Sequence, residues 1–222
     1  DGWVKAIRCL VFWIIFVLLL AGTSRLFSKQ HSSSLGAQVL KYGSEIQVAF
    51  AGSSHTMNDL APQQLWNEQE IRAQAVASPG ETMVCTYWHL RNALDYMQPE
   101  MVLVDLYGVV FEGKIYPNGD PRSWLDSLPP SRTKLETVLD LYGIKGISAI
   151  WPFTYEHTRW NDLDQSDAQD PTDNYLRGVQ RVETVTPQRP YIAISGGEEV
   201  NRLGLDYWQR IIDLCEEKKI QL

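Results

Sequence analysis

The chain has 222 residues, of which 44% are hydrophobic and 21% charged, with a formal net charge of −7 at neutral pH. Once an apolar amino-terminal run is set aside, the remainder suits one α/β domain of ordinary size, and its acidic balance argues against nucleic acid as the main partner. The three cysteines lack metal-ligand spacing, and no repeat or long low-complexity tract is present.

Cys9 to Gly22 (CLVFWIIFVLLLAG) is uncharged and almost wholly apolar. With Ala6, Ile7 and Thr23 to Leu26 it approaches the ~20 residues a bilayer requires. A transmembrane anchor is expected within residues 1–27, meeting the membrane through residues 9–26, and a linker over 28–44 that includes the polar run HSSS. Lys5 and Arg8 precede the run, which favours a cytoplasmic amino end and an extracytoplasmic remainder. A cleaved signal peptide is a second reading, because Ala21-Gly22-Thr23-Ser24 is rich in small residues. A buried core helix is a third.

Residues 45–222 alternate between strand and helix patterns. Ile46–Ala51 reads as a first strand, Ala61–Gln69 as a helix with Pro62 in its first turn, and Arg72–Ala77 as a second strand. Thr82–Met97 has a helical pattern that places Val84, Trp88, Leu90, Ala93, Leu94 and Met97 near one face, and Pro99 stops it. Met101–Tyr107 is an apolar run suited to a central parallel strand. This order predicts a three-layer, doubly wound parallel sheet. Ligand sites in such sheets lie beyond the carboxyl ends of the strands, here at Gly52–His55, Ser78–Glu81 and Asp105–Gly108.

Residues 113–188 read as an insertion, a lid or substrate platform. It contains a helix over Thr133–Tyr142 with a capping box from Thr133 to Glu136. Asp162–Asp173 carries five carboxylates, but Asp167 stands where a calcium loop needs glycine, so a solvated acidic loop and no metal is expected. Tyr191–Ser195 is a short apolar run without an evident partner. Leu205, Trp208, Ile211, Ile212 and Cys215 recur at helical spacing, with Lys218-Lys219 in the last turn. Ile220-Gln221-Leu222 reads as the start of a buried strand, so the domain is expected to continue past residue 222. Cys85 and Cys215 can pair or remain buried free thiols.

Val48-Ala49-Phe50-Ala51-Gly52-Ser53-Ser54-His55 puts a serine on the first turn after a buried strand, with a glycine allowing the tight turn. The segment resembles block one of the SGNH/GDSL hydrolase superfamily. Its Gly-Ser-Ser, in place of Gly-Asp-Ser, is similar to the envelope branch of DltD-like and alginate O-acetylation proteins. A Ser/Thr-rich helix cap is the plainer alternative. The resemblance implies an SGNH or flavodoxin-like fold and an O-acyl esterase or O-acyltransferase. It makes Ser54 the nucleophile and Gly80 an oxyanion donor, with no cofactor. The implied partners are an acyl donor and an envelope glycan or teichoic-acid-like polymer. A non-catalytic glycan-binding or envelope-assembly protein on the same fold is the alternative function.

Two departures from the family stand out. The third block reads Asp105-Leu106-Tyr107-Gly108 and lacks the usual asparagine. The Asp-x-x-His that supplies the base is absent, because Ser28, Gly52, Thr86 and Thr154 stand three residues before the histidines. The resemblance implies that the block lies beyond residue 222. His55 follows Ser54 directly, and side chains adjacent on a helix diverge by about 100°, so His55 is expected to line the pocket or the surface rather than to deprotonate Ser54. His89 is expected in the core. Tyr107 is expected to shape the crevice. His157, Arg159 and Trp160 suit either a carbohydrate or anionic polymer surface or ordinary helix packing.

Overall fold

The computed structural model describes residues 2–27, 35–117, 119–151, 157–161, 177–179 and 200–222. The chain forms two compact units, Asp1–His31 with Pro129–Gln169, and Ser32–Leu128 with Asp170–Leu222. The fold is α/β, with a three-stranded parallel sheet and one amino-terminal apolar helix.

In chain order the named elements are α1 (Gly2–Phe27), α2 (Leu35–Tyr42), β1 (Val48–Gly52), α3 (Ser54–Asp59), α4 (Pro62–Gln69), β2 (Ala73–Ala77), α5 (Met83–Ala93), β3 (Met101–Val104), α6 (Arg122–Leu125), α7 (Arg132–Tyr142) and α8 (Arg202–Lys218).

The first unit contains α1 and α7. A stretch of 23 residues in α1, Gly2–Ser24, is long and apolar enough to cross a membrane, and an amino-terminal signal sequence would pass the same test. The helix therefore begins before Cys9, taking in Lys5 and Arg8. In α7 the cap is Ser131, whose hydroxyl accepts the Lys134 amide at 3.0 Å. Thr133 instead takes part as an acceptor, its carbonyl receiving the Thr137 hydroxyl, while Glu136 pairs with Arg132 at 2.9 Å. The expected Thr133–Glu136 box is thus replaced by a cap two residues earlier.

The second unit is built on the sheet, in the order β2-β1-β3 with every neighbour parallel. β1 and its neighbour β2 are rich in alanine. Ala49 and Ala51 on β1 and Ala73, Ala75 and Ala77 on β2 are fully buried, and small side chains of this kind let covering helices approach closely. α5 lies against β1 and β2, and every one of its residues except Arg91 is buried. It is therefore a core helix buried all round, not a helix with one apolar face. It stops at Ala93, four residues short of the expected Met97, and hydrogen-bonded turns carry the chain on to Met97.

α8 packs on α5, with the Tyr87 and Tyr207 rings 5.5 Å apart. Its buried face is Gly204, Tyr207, Ile211, Leu214 and Cys215, while Leu205 is exposed. The face is set by Gly204, where an added Cβ would come within 2.6 Å of the Val109 carbonyl oxygen. After α8, Gln221 makes a parallel bridge to Met101, with Val102 donating to the Gln221 carbonyl at 2.7 Å. The pairing is that of a strand, but Gln221 and Leu222 are exposed rather than buried. Cys85 and Cys215 are both free and buried.

Candidate functional site

The register puts Gly52 opposite Ala77 and Ala51 opposite Val104. The carboxyl ends of all three strands therefore lie level at one edge, and the loops that follow them carry Ser54, Gly80 and Asp105.

β1 ends at Gly52, with φ +153. A Cβ there would lie 2.5 Å from the Thr56 hydroxyl and 2.6 Å from the Asp105 Cβ. Glycine is required on both counts, since it supplies the turn into α3 and the close approach of the β3 end. Ser53 occupies the N-cap position of α3, but its side chain does not cap. Its buried hydroxyl donates to Asp105 Oδ2 at 2.8 Å. Ser54 is the first residue of α3 and is half-buried.

Asp105 is the hub of this edge. Its Oδ1 accepts the Tyr107 amide at 2.9 Å, capping the 3-10 turn Leu106–Val110, while Oδ2 receives Ser53. His55 Nδ1 lies 3.6 Å from the same Oδ2. That separation is ion-pair range and too long for a hydrogen bond. The Tyr107 ring meets the His55 ring edge-on at 4.4 Å, and Phe111 supports Tyr107 at 5.1 Å. His55 is 51% exposed and Asp105 21%, so the pair is open to solvent. Beside it is a hollow of about 240 Å³ lined by His55, Thr56, Asp59, Leu60, Leu103, Val104 and Asp105.

On the neighbouring loop, Gly80 has φ +68 and packs against Gly119 and Tyr116. The loop is clamped on both sides. Ser78 and Ser123 share a hydroxyl hydrogen bond at 3.1 Å, and Thr82 donates to the Lys114 carbonyl at 2.7 Å. Glu81 is buried, 2.8 Å from His89 Nδ1. Burial pushes the Glu81 carboxyl above its usual range, and the nearby His89 opposes the rise. The Cys85 thiol, whose sulfur lies 3.2 Å from the Lys114 carbonyl, is pushed up to about 12 by burial, with the Glu81 charge adding to it.

The sites named from the sequence thus fall into separate places. Tyr107 and His55 are in contact, and Ser54 and Gly80 lie on adjacent strand ends. His157 and Trp160 are exposed in and beside a short turn at Arg159–Asn161 in the other unit. The carboxylates of Asp162–Asp173 and the run Tyr191–Ser195 fall outside the described residues. Among the described residues no cluster of three His, Cys, Asp or Glu side chains could hold a metal ion.

Two relationships were not visible in the sequence. Asp105 reads there as a plain strand-end cap; it does cap, but it also gathers Ser53 and His55 from a loop some fifty positions earlier. The one sequence signal was a carboxylate at the strand end beside the serine turn. The other is the Glu81–His89 pair, eight positions apart across a helix start, which neither strand nor helix periodicity reports. No family model, curated protein or solved structure matches the chain.

Proposed function

We propose that this chain is a membrane-anchored, extracytoplasmic O-acyl esterase or O-acyltransferase of SGNH-like, doubly wound build, acting on an envelope polysaccharide or teichoic-acid-like polymer. The observation that carries the reading is the placement of Ser54. It starts α3 one residue after a strand that ends in a glycine with positive φ, at the edge where two parallel neighbours bring Gly80 and Asp105. In this reading Ser54 Oγ attacks an acyl carbonyl, and the Ser54 and Gly80 amides hold the oxyanion. The choice of polymer rests on the family resemblance and on the aromatic and basic set His157, Arg159 and Trp160. The outward orientation rests on Lys5 and Arg8.

One observation favours a second reading, a non-catalytic glycan-binding or envelope-assembly protein. The third strand end presents Asp105, which accepts hydrogen bonds, where the family's third block presents an asparagine donor. Labelling of the full chain with a fluorophosphonate separates the two. The enzyme reading expects adduct at Ser54, absent in Ser54→Ala. A full chain that never labels, together with a Ser54→Ala variant whose envelope function is unchanged, leaves the binding reading in its place.

A further inference from the structure

We propose that Arg72 and Arg177, gathered on the ring of Trp66, form a binding site for a phosphate group at the amino-terminal edge of the sheet. The site is separate from the serine turn and does not rest on the acyl-transfer reading. Arg72 stands just before β2, and Ala77, the residue level with Gly52, is five positions further along. At about 3.3 Å per residue the two are roughly 16 Å apart along the strand.

Local structure fixes both arginines. Trp66 and Gln63 belong to α4, which ends at Glu70 in a left-handed turn (φ 56) that brings the chain back to Arg72. The Arg72 amide donates to Gln47 Oε1 at 3.0 Å, and its carbonyl accepts the Gln47 and Val48 amides at 2.8 and 3.2 Å. Arg177 lies more than a hundred positions later in the chain. Its carbonyl accepts the Ala75 amide of β2 at 2.8 Å, and its Nε donates to Gln63 Oε1 at 3.2 Å. It also holds φ 55, a conformation that non-glycine residues adopt rarely and that clusters at ligand sites.

The guanidinium carbons of Arg72 and Arg177 lie 5.8 and 5.4 Å from the Trp66 ring centroid. Two cations gathered on one ring repel each other. Among the described residues no carboxylate pairs with Arg72, and its buried Nε has no hydrogen-bond partner. Glu68, close by in sequence, is held by the Gln64 side-chain amide at 2.7 Å. A buried donor left over in this way marks a place where an ion or water is due. Stacking on a ring uses the flat face of a guanidinium, while its N–H donors point outward in the plane and fit the oxygens of a phosphate. Arg72, Arg177, Trp66 and Gln63 are all half-buried, so the cluster reaches solvent. A tetrahedral phosphate presents oxygens in several directions and takes donors from two forks on different elements, whereas a planar carboxylate is matched by one.

The test uses the detergent-solubilised full chain and inorganic phosphate, read by calorimetric titration and thermal melts. Phosphate should bind saturably and raise the melting temperature, since a ligand of the folded state stabilises it. Arg72→Gln and Arg177→Gln should each weaken binding by roughly 10- to 100-fold. Arg72→Lys and Arg177→Lys keep the charge and guard against loss of the fold; they should weaken binding by less, because a point charge replaces a fork. Arg210, whose guanidinium carbon lies 4.3 Å from the Tyr207 ring centroid, supplies the control, and Arg210→Gln should bind as the unmodified chain does. Sulfate should compete and acetate should not. A chain reconstituted in phosphatidylglycerol nanodiscs that no longer takes up added phosphate marks a lipid headgroup as the source, and unchanged uptake marks a soluble phosphate compound; both support the site. Absence of saturable binding, or folded Arg72 and Arg177 variants that bind as tightly as the unmodified chain, overturns the proposal. An equal loss in Arg210→Gln reduces the effect to net charge and overturns it as well, and equal competition by acetate overturns the choice of phosphate.

Discussion

His89 Nδ1 lies 2.8 Å from Glu81 Oε1, and the His89 ring is stacked on Trp124 with their centroids 4.3 Å apart and their planes 6° from parallel. Both members of the pair are sealed from solvent. The contact ties the loop after β2, which carries Gly80, to α5 and to α6. A buried carboxylate is costly to keep charged; His89, Thr86 and Trp124 offset only part of that cost, and the loop inherits the sensitivity.

A folded-state carboxyl pKa raised above the unfolded value means that the folded chain binds the proton more readily. Its contribution to stability is full below the usual value of 4.5 and is lost as pH rises through the raised value. Thermal melts of the unmodified chain and of Glu81→Gln, taken from pH 4 upward, should show the unmodified chain losing ground to the variant as pH rises through that window. A constant difference across the window would place the Glu81 titration elsewhere.

The thiols should report on the same region. With Cys85 pushed up to about 12 and both Cys85 and Cys215 buried and free, a disulfide reagent at pH 8 should leave them unmodified in the folded chain. Both should react once denaturant is added. Rapid reaction of Cys85 under native conditions would show that the α5 start opens to solvent.

Gly52 and Ser53 should differ in cost. Ser53→Ala removes the hydroxyl that bonds Asp105 and should destabilise the chain by about 1–3 kcal/mol. Gly52→Ala adds the strain of a positive φ, about 1–3 kcal/mol, to clashes with Thr56 and Asp105, and should cost more. Urea unfolding of the two variants orders them, and a Gly52→Ala chain as stable as the unmodified one would remove the tight turn from the account.

Orientation can be read with a reporter. Because Lys5 and Arg8 lead α1, a reporter active only in the cytoplasm and fused after Leu222 should stay silent. A strong cytoplasmic signal rejects the outward assignment.

The sequence made the strands legible wherever an apolar run was closed by a breaker, as at Phe50-Ala51-Gly52 and Ala77-Ser78-Pro79-Gly80. Pro62 marked the start of α4 for the same reason. Element ends were harder to read, because side chains decide them. β3 was expected to reach Tyr107 but stops at Val104, since the Asp105 carboxylate takes the Tyr107 amide out of the ladder and starts a 3-10 turn. α7 starts from the Ser131 hydroxyl just after Pro129-Pro130, and three successive polar residues left the choice of cap open. The site was legible as three strand ends. The meeting of His55 with Asp105 was not, because it depends on the pairing of Ala51 with Val104, a register that no local pattern encodes.

The strand order also fixes a sequence of events during synthesis. β1 is the middle strand, yet it is made first, and both of its neighbours come later in the chain. As it leaves the ribosome, Val48-Ala49-Phe50-Ala51-Gly52 has two open hydrogen-bonding edges and no cover. One edge waits for Ala73–Ala77 and the other for Met101–Val104. Unpaired apolar strand edges of this kind are where nascent chains associate wrongly. The serine turn, built on the end of β1, takes its final geometry only when Asp105 arrives, so the candidate site is among the last parts of the sheet edge to be assembled.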